Sequence, residues 1–536
     1  MNNVGGDVLA LVQAYGVDTV FGIPGTHNLE FYRHLAPLGL KTVTTRHEQG
    51  AGYAADGWAQ QTGLPGVVIT TSGPGLLNVL SAAGTAYAES RPLLILSPGA
   101  PRGSVFGSGA LHETKDPVGA AGAVVEWSRR VTSGAEALEA VHDAVALFAA
   151  ARPRPVHIEI PLDVLESDSK AEDELRTPRA APPLRTAAAD VIAGAAEALR
   201  DARTPVIVAG GGAVRAAGQV RALAELLDAP VLTSINGKGV LPESHPLAVG
   251  AELRLVSARR FVEDADAVLV IGSKMGEAET WFEPLRTRGT VVRIDLSESQ
   301  LDLNLAADLR VHADARTAVP QLISSLAGVR AARDGAARVS RLRTVLETES
   351  AELAPVLVAL SEDVAAALPA DAVVAGDSSQ VTYLAASSSI RVERPGSFLY
   401  MPTYATLGYG LPAAIGAKLA SPERPVVCLL GDGALMFSVQ ELITAVEQGL
   451  DLVVVCVENG GYGEIRQNEL DRGIPPVGVE LVQPDWAALV EAFGGTGVRV
   501  RSRADLGPQL RSALEAGGLW LLHVSVALYT RSAPSA

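Results

Sequence analysis

Short apolar runs recur along this chain, and between them apolar residues return every three or four positions. Residues 426–430 and 452–457 are two such runs. In the stretch that separates them, Val439, Leu442, Ile443 and Val446 keep the i, i+3, i+4, i+7 spacing, which predicts a helix over 438–448. Ser438 with Glu441 reads as a capping box at its start. A right-handed crossover would set the two flanking strands parallel, with their carboxyl ends together. Further runs at 19–21, 67–71, 93–96, 156–160, 206–209, 267–271, 291–294 and 520–526 also read as strands alternating with helices. A charged, proline-bearing segment at 166–187 has linker composition. A weaker break, rich in Arg and Ala, covers 328–339, and the chain closes on a short polar tail. The expected fold class is therefore α/β, with three doubly wound parallel-sheet domains at 1–165, 188–328 and 350–528 and no repeat of solenoid length.

Composition supports a large enzyme of this class. At 536 residues, two to four domains are expected. An apolar content of 48% with only 4% aromatic residues suits a core of Ala, Val and Leu around buried parallel strands. A net charge of −16 argues against nucleic acid or an anionic membrane surface as partner. The two cysteines, Cys428 and Cys456, fall in predicted buried strands and read as core filler rather than as ligands or a disulfide. Residues 1–8 lack a basic, apolar leader, and no apolar run reaches membrane-spanning length. A cytoplasmic location is expected.

Candidate chemistry sits at the ends of the predicted strands. Asp432 and Asn459 would project side by side from neighbouring carboxyl ends, where open α/β sheets bind ligands. A carboxylate, an amide oxygen and an accessible glycine backbone make a hard-oxygen set suited to magnesium carrying a diphosphate. Gly431-Asp432-Gly433 could also be only a tight strand-to-helix turn. Glu48 starts a helix whose next turns are nearly all Gly and Ala, so another backbone or a cofactor could approach closely. Alternatively, Glu48 complements the positive end of a helix dipole. Gly210-Gly211-Gly212 follows a strand, but the dinucleotide fingerprint is incomplete, and a structural turn is the favoured reading.

Gly431-Asp432-Gly433 with Glu458-Asn459-Gly460-Gly461 resembles the cofactor motif of the thiamine diphosphate-dependent enzymes of the acetolactate synthase and benzoylformate decarboxylase type. "RHEQGAGYAADGWA", "VFGIPGTHNL", "TSGPGLLN" and "YATLGYGLPAAIGA" resemble other segments of that family, and the resemblance spans essentially the whole chain. It implies a pyrimidine-binding domain, a central domain and a diphosphate-binding domain, with thiamine diphosphate and Mg2+ as cofactors. Asp432, Asn459 and the Gly461 carbonyl would hold the metal. The family usually has Asn-Asn where this chain has Glu458-Asn459. Glu48 would activate the cofactor by protonating its aminopyrimidine ring, which requires a desolvated carboxyl. Leu407 would wedge the cofactor into a bent conformation, and the Ala405 carbonyl would accept from its exocyclic amine. Gly431, Gly433, Ala434 and Tyr462 complete the cofactor-binding set. Because Glu48 and Asp432 lie on different subunits in the family, a homodimer or homotetramer with sites at the interface is implied. Acetolactate synthase relatives use the central domain for FAD, so FAD stays open here.

The resemblance further implies a small-molecule 2-oxo acid substrate that loses carbon dioxide through an enamine intermediate. Protonation then releases an aldehyde; capture by a second carbonyl compound, as in an acetolactate synthase-like carboligase, gives an acyloin. His112 in "LHET" resembles the first member of a decarboxylase His-His pair, and could equally be a hydrogen-bonded loop residue. Thr26 falls where decarboxylases carry an Asp or Ser that touches substrate. Glu464 occupies a pocket position that is usually apolar in decarboxylases. A carboxylate there is costly unless paired, and a guanidinium substrate would pair with it bidentately. Arg466 as an internal partner, or a helix-start role, would also explain it. Taken together these stretches look most like decarboxylases of 5-guanidino-2-oxopentanoate (2-ketoarginine) and, more distantly, acetolactate synthase large subunits.

Overall fold

The computed structural model describes residues 3–329 and 333–530. The first two residues, the middle of the 328–339 break and the last six residues of the polar tail lie outside them. Three six-stranded sheets, all parallel, carry the fold. The first contains β1 (Thr19–Gly22), β2 (Lys41–Thr44), β3 (Gly66–Ile69), β4 (Leu93–Gly99), β5 (Trp127–Arg130) and β6 (Val156–Pro161), in the order β2-β1-β3-β4-β6-β5. The second contains β7 (Val206–Ala209), β8 (Val231–Thr233), β9 (Ala248–Gly250), β10 (Ala267–Ile271), β11 (Thr290–Asp295) and β12 (Leu309–His312), in the order β12-β11-β10-β7-β8-β9. The third contains β13 (Val373–Gly376), β14 (Phe398–Leu399), β15 (Val426–Gly431), β16 (Leu452–Glu458), β17 (Thr496–Arg499) and β18 (Leu519–Ser525), in the order β14-β13-β15-β16-β18-β17. This is the expected α/β architecture. Each apolar run read as a strand is one. Their aliphatic residues are buried on both faces because helices cover each sheet from two sides. Cys428 and Cys456 are free and wholly buried in β15 and β16, and burial holds both thiols protonated.

The strand–helix–strand unit at 426–458 forms with one correction. Its helix is shorter than expected, Glu441–Glu447, and the capping box does not form. Ser438 Oγ is buried without a partner among the described residues, and Glu441 turns its carboxylate elsewhere. It accepts from the backbone N–H of Arg46 (3.0 Å) and of His47 (3.1 Å) and from Thr444 Oγ1 (2.6 Å). The physical reason is that those two amides, just ahead of the helix Glu48–Thr62, would otherwise be half-buried donors without protein acceptors. Glu441 thus ties the third domain to the start of the Glu48 helix.

The Gly- and Ala-rich character of that helix serves another backbone. The helix Glu48–Thr62 packs against the helix Gly410–Ala420. A Cβ on Gly57 would collide with the Ala413 carbonyl, and one on Gly416 with the Ala54 carbonyl. Gly416→Val is therefore expected to cost about 3 kcal/mol or more in stability, because both contacts are backbone and cannot repack. Thermal unfolding checks this, with Gly218→Ala as control: that glycine has open space around it and should change stability by less than about 1 kcal/mol.

The 166–187 segment runs back over the first domain, where Arg176 pairs with Asp7 (2.8 Å). Beyond the second break, the helix Gly335–Leu353 buries Val339, Leu342 and Leu346 in a cluster with central-sheet residues such as Val206 and Val268. Among the described residues no helix is long and apolar enough to cross a membrane.

Candidate active site

A cavity of about 280 Å3 opens at the carboxyl ends of β13, β15 and β16, beside the point where strand order reverses between β13 and β15. That is where a doubly wound sheet leaves a crevice. Ala405, Leu407, Gly431, Asp432, Gly433, Ala434, Asn459, Gly461, Tyr462 and Glu464 all line it, so the expected diphosphate half is assembled by one domain. Asp432 is buried, 1% exposed. Its Oδ1 accepts from Gly433 N–H (2.9 Å) and its Oδ2 from Gly460 N–H (3.0 Å). Burial pushes this carboxyl above its usual range. Among the described residues no cation lies within ion-pair distance of it, so a buried carboxylate faces the cavity without counter-charge. Nor, among the described residues, does any cluster of three or more His, Cys, Asp or Glu side chains offer a metal site. A cation here would rest on one carboxylate, the Asn459 amide and the Gly461 carbonyl. Glu458, which precedes Asn459 at the end of β16, is hydrogen-bonded to His523 on the neighbouring strand.

The loop that carries Ala405 and Leu407 is held under strain. Ala405 has φ +52°, left-handed for a residue with a Cβ. Asp377 fixes the loop by accepting from Gly408 N–H (3.1 Å) and Gly410 N–H (2.7 Å). It is fully buried, and burial pushes its carboxyl up to about 6. Sequence reasoning missed this anchor together with Ser378, Ser379 and Gln380, which line the cavity after β13. Ser379 Oγ accepts from Gly431 N–H (2.9 Å). The available signal was an Asp-Ser-Ser turn directly after the short apolar run at 372–375.

Glu464 lies in the first turn of the helix Gly463–Asp471, and its partners are neutral. Gln380 Nε2 (2.8 Å) and the Tyr383 hydroxyl (3.2 Å) both donate to Oε2, and Oε1 has no donor among the described residues. Arg466 pairs with Glu480 instead (3.3 Å), so the internal ion pair considered for Glu464 does not form. Burial, then the facing carboxylate, keep the Tyr383 phenol protonated. Tyr383 sits in a π-helical turn, Val381–Ala386, and Trp281 of the central domain packs on it with ring centroids 6.2 Å apart.

The other expected residues gather on the first domain. Glu48 opens its helix at 7% exposure, and Asn78 Nδ2 donates to its Oε2 (2.9 Å). The turn after β3 and the start of the helix Pro74–Glu89 run beside it, close enough that a Cβ on Gly75 would meet Glu48 Oε1 at 3.0 Å. On the far side of this turn lies a second cavity of about 690 Å3, lined by His27, Ser72, Gly73 and His112 among others. His112 is held by more than its loop: Ser72 Oγ lies 3.4 Å from its Nδ1. Thr26 is exposed at the start of the turn Thr26–Asn28, and its neighbour His27, unnoticed in the sequence, is the residue that lines this cavity. Among the described residues the cavity at Asp432 has no lining residue from the first domain, and the cavity at His112 has none from the third.

In the central domain Gly210 and Gly212 allow two loops to touch. A Cβ on Gly210 would strike the Gly272 carbonyl, and one on Gly212 would meet Gly272 Cα at 2.8 Å. Gly211 and Gly212 also line a cavity of about 150 Å3 together with Arg152, Lys274 and Asp295.

Three family models cover most of the chain. The description "Thiamine pyrophosphate enzyme, N-terminal TPP binding domain" matches residues 2–119, the central domain of the same enzymes matches 192–322, and their C-terminal TPP binding domain matches 377–524. Similar proteins include the Probable 2-ketoarginine decarboxylase AruI of Pseudomonas aeruginosa, 40% identical over 96% of this chain and 93% of that protein. The acetolactate synthase isozyme 3 large subunit of Escherichia coli is 32% identical over 93% of this chain and 90% of its own length. Sulfoacetaldehyde acetyltransferase of Castellaniella defragrans is 30% identical over 94% and 89%.

Proposed function

Because this chain belongs to the thiamine pyrophosphate enzyme family, we propose that it decarboxylates a 2-oxo acid with a cationic tail, 5-guanidino-2-oxopentanoate, and releases the aldehyde. Glu464 carries this reading. One of its oxygens is fixed by two neutral donors and the other is free, on the wall of the cofactor cavity. Among the described residues no cationic side chain pairs with this carboxylate, which has only the positive end of its own helix, and a guanidinium would supply the partner through charge-assisted hydrogen bonds. The relative named for 2-ketoarginine supports the same substrate.

Asp432, the Asn459 amide oxygen and the Gly461 carbonyl fit magnesium with a diphosphate, since all are oxygen donors and Asp432 lacks any other cation. Bound there, thiamine diphosphate supplies the electron sink for loss of carbon dioxide. Glu48 holds a proton at Oε1, the oxygen that Asn78 leaves free, and exchanges it at the pyrimidine end. Leu407 lines the same cavity, on a loop that Asp377 fixes, and would support the cofactor from there. His112, on the wall of the first-domain cavity, would give a proton to the decarboxylated carbon. The two half-sites open into separate cavities of one chain, and exposed apolar residues flank both: Phe106 and Leu111 on one side, Ile465 and Val477 on the other. Two copies pairing through these faces would complete two sites, each from both chains.

Glu464→Leu tests the substrate assignment. Its kcat/KM for 5-guanidino-2-oxopentanoate is expected to fall by about 10²-fold, the loss typical of removing one partner of a buried charge pair, with pyruvate changed less than about threefold. Equal loss on both substrates would remove the case for a cationic substrate.

A further inference from the structure

Three side chains from three different loops meet at the carboxyl ends of β1, β3 and β4. His27 Nδ1 lies 2.6 Å from Ser72 Oγ, and Ser72 Oγ lies 3.4 Å from His112 Nδ1. The two imidazoles stand edge to face, with centroids 5.0 Å apart and planes inclined at 64°. Each part of this arrangement is held in place. Asn28, wholly buried, accepts from Gly25 N–H (2.7 Å) and donates to the Ile23 carbonyl (2.9 Å), which fixes the turn bearing His27. His112 has φ +59°, a left-handed conformation that costs a residue with a Cβ about 1–2 kcal/mol. It closes on Ser72 only because residue 73 is glycine: a Cβ there would meet the His112 carbonyl oxygen at 2.5 Å. Strain kept at one loop for the sake of one contact points to a use for the contact.

A serine hydroxyl has a single proton, so Ser72 can donate to one ring only while accepting from the other. The three groups therefore form a directional chain. Neither His27 Nε2 nor His112 Nε2 has a protein partner among the described residues, so both ends of the chain are open.

We propose that His27, acting through Ser72, is the positioning residue that sets the tautomer of His112 and resupplies its proton. This rests on the decarboxylase reading. In the starting state His27 is an imidazolium that donates from Nδ1 to Ser72, and Ser72 donates to Nδ1 of His112. His112 is then neutral, with its proton on Nε2. When His112 gives that proton to the carbon freed by loss of carbon dioxide, its Nδ1 takes the Ser72 hydroxyl proton, and Ser72 takes the Nδ1 proton of His27. One proton leaves the chain. His27 ends neutral, Ser72 is unchanged, and His112 holds its other tautomer until exchange with water restores the start. Burial, then the facing His112, draw the His27 pKa below its usual value, partly offset by Glu166, so the imidazolium that primes the relay gives up its proton readily but is the less populated form at neutral pH.

Two assays on the holoenzyme with one 2-oxo acid separate proton delivery from decarboxylation. Aldehyde release needs the proton. Carbon dioxide release with 2,6-dichlorophenolindophenol present does not, because the dye takes two electrons and the decarboxylated carbon leaves as the carboxylic acid. His27→Ala is expected to lower aldehyde release by about 10²-fold and dye-coupled carbon dioxide release by less than about threefold, with added imidazole restoring the former. Ser72→Ala should share the defect but not the rescue. His27→Gln, which keeps a donor to Ser72 but cannot carry a second proton, should keep the fold and the defect. Full aldehyde release in His27→Gln, or an equal fall in both assays, would overturn the proposal. A parent enzyme that releases no carbon dioxide from any 2-oxo acid would instead overturn the decarboxylase reading, and the relay with it.

Discussion

Replacing Glu48 with Gln is expected to lower turnover by about 10²–10⁴-fold, the span of a lost proton-transfer group, while thiamine diphosphate and magnesium still bind. The substitution keeps the shape and the bond from Asn78, since an amide oxygen can accept where Oε2 did. What is lost is a group that can hold and return a proton at Oε1, in a site that is 7% exposed. A glutamate that only complemented the helix dipole would behave differently. Its neutral variant would lose up to about 1 kcal/mol of stability and little activity. Steady-state kinetics at saturating cofactor, beside a titration of cofactor binding, separate the two. An active variant would end the assignment.

Asp432→Asn is expected to weaken magnesium-dependent cofactor binding by more than about 10²-fold, beyond what lost support around a metal costs. The fold should survive, because Asp432 has no ion pair to lose and Asn can keep the contact to Gly460 N–H. The same variant tests the two-chain site. Alone, at a cofactor concentration that saturates the parent but not Asp432→Asn, Glu48→Gln and Asp432→Asn should each keep only a small fraction of parent activity. Mixed after subunit exchange, half the dimers carry one intact site, built from Glu48 of one chain and Asp432 of the other. Activity should return to about one quarter of the parent value for random pairing of a symmetric dimer. No recovery after proven exchange would place both residues in the same chain's site.

Much of the fold and of the site is legible in the amino-acid sequence, for a physical reason. Buried parallel strands are continuous aliphatic runs, and the ends of such runs at Gly431 and Val457 locate Asp432 and Asn459 directly. Edge strands are not legible in this way. β5 and β17 are half exposed, so their residues carry no uninterrupted apolar signal. The capping box fails because Ser438 and Glu441 have the right spacing but Glu441 answers amides nearly four hundred residues away. The Gly- and Ala-rich helices suit close approach by a cofactor or by another backbone, and at Gly57 and Gly416 a backbone occupies the space. Asp377 and His27 escape notice for one reason: each acts through a contact between loops distant in sequence, to Gly408 and Gly410 in one case and to Ser72 in the other. Glu464 stands out in the sequence, but only its neutral partners Gln380 and Tyr383 separate the substrate explanation from Arg466.

The proposed reaction is cofactor-dependent decarboxylation of a cationic 2-oxo acid with release of an aldehyde. Its most direct test is product analysis of the purified protein, supplied with thiamine diphosphate and magnesium and offered 5-guanidino-2-oxopentanoate and pyruvate in parallel. The expected outcome is 4-guanidinobutanal and carbon dioxide in equal amounts from the first, at a kcat/KM well above that for pyruvate, and no product without thiamine diphosphate. Acetolactate formed from pyruvate as the faster reaction, with the guanidino acid untouched, would contradict it.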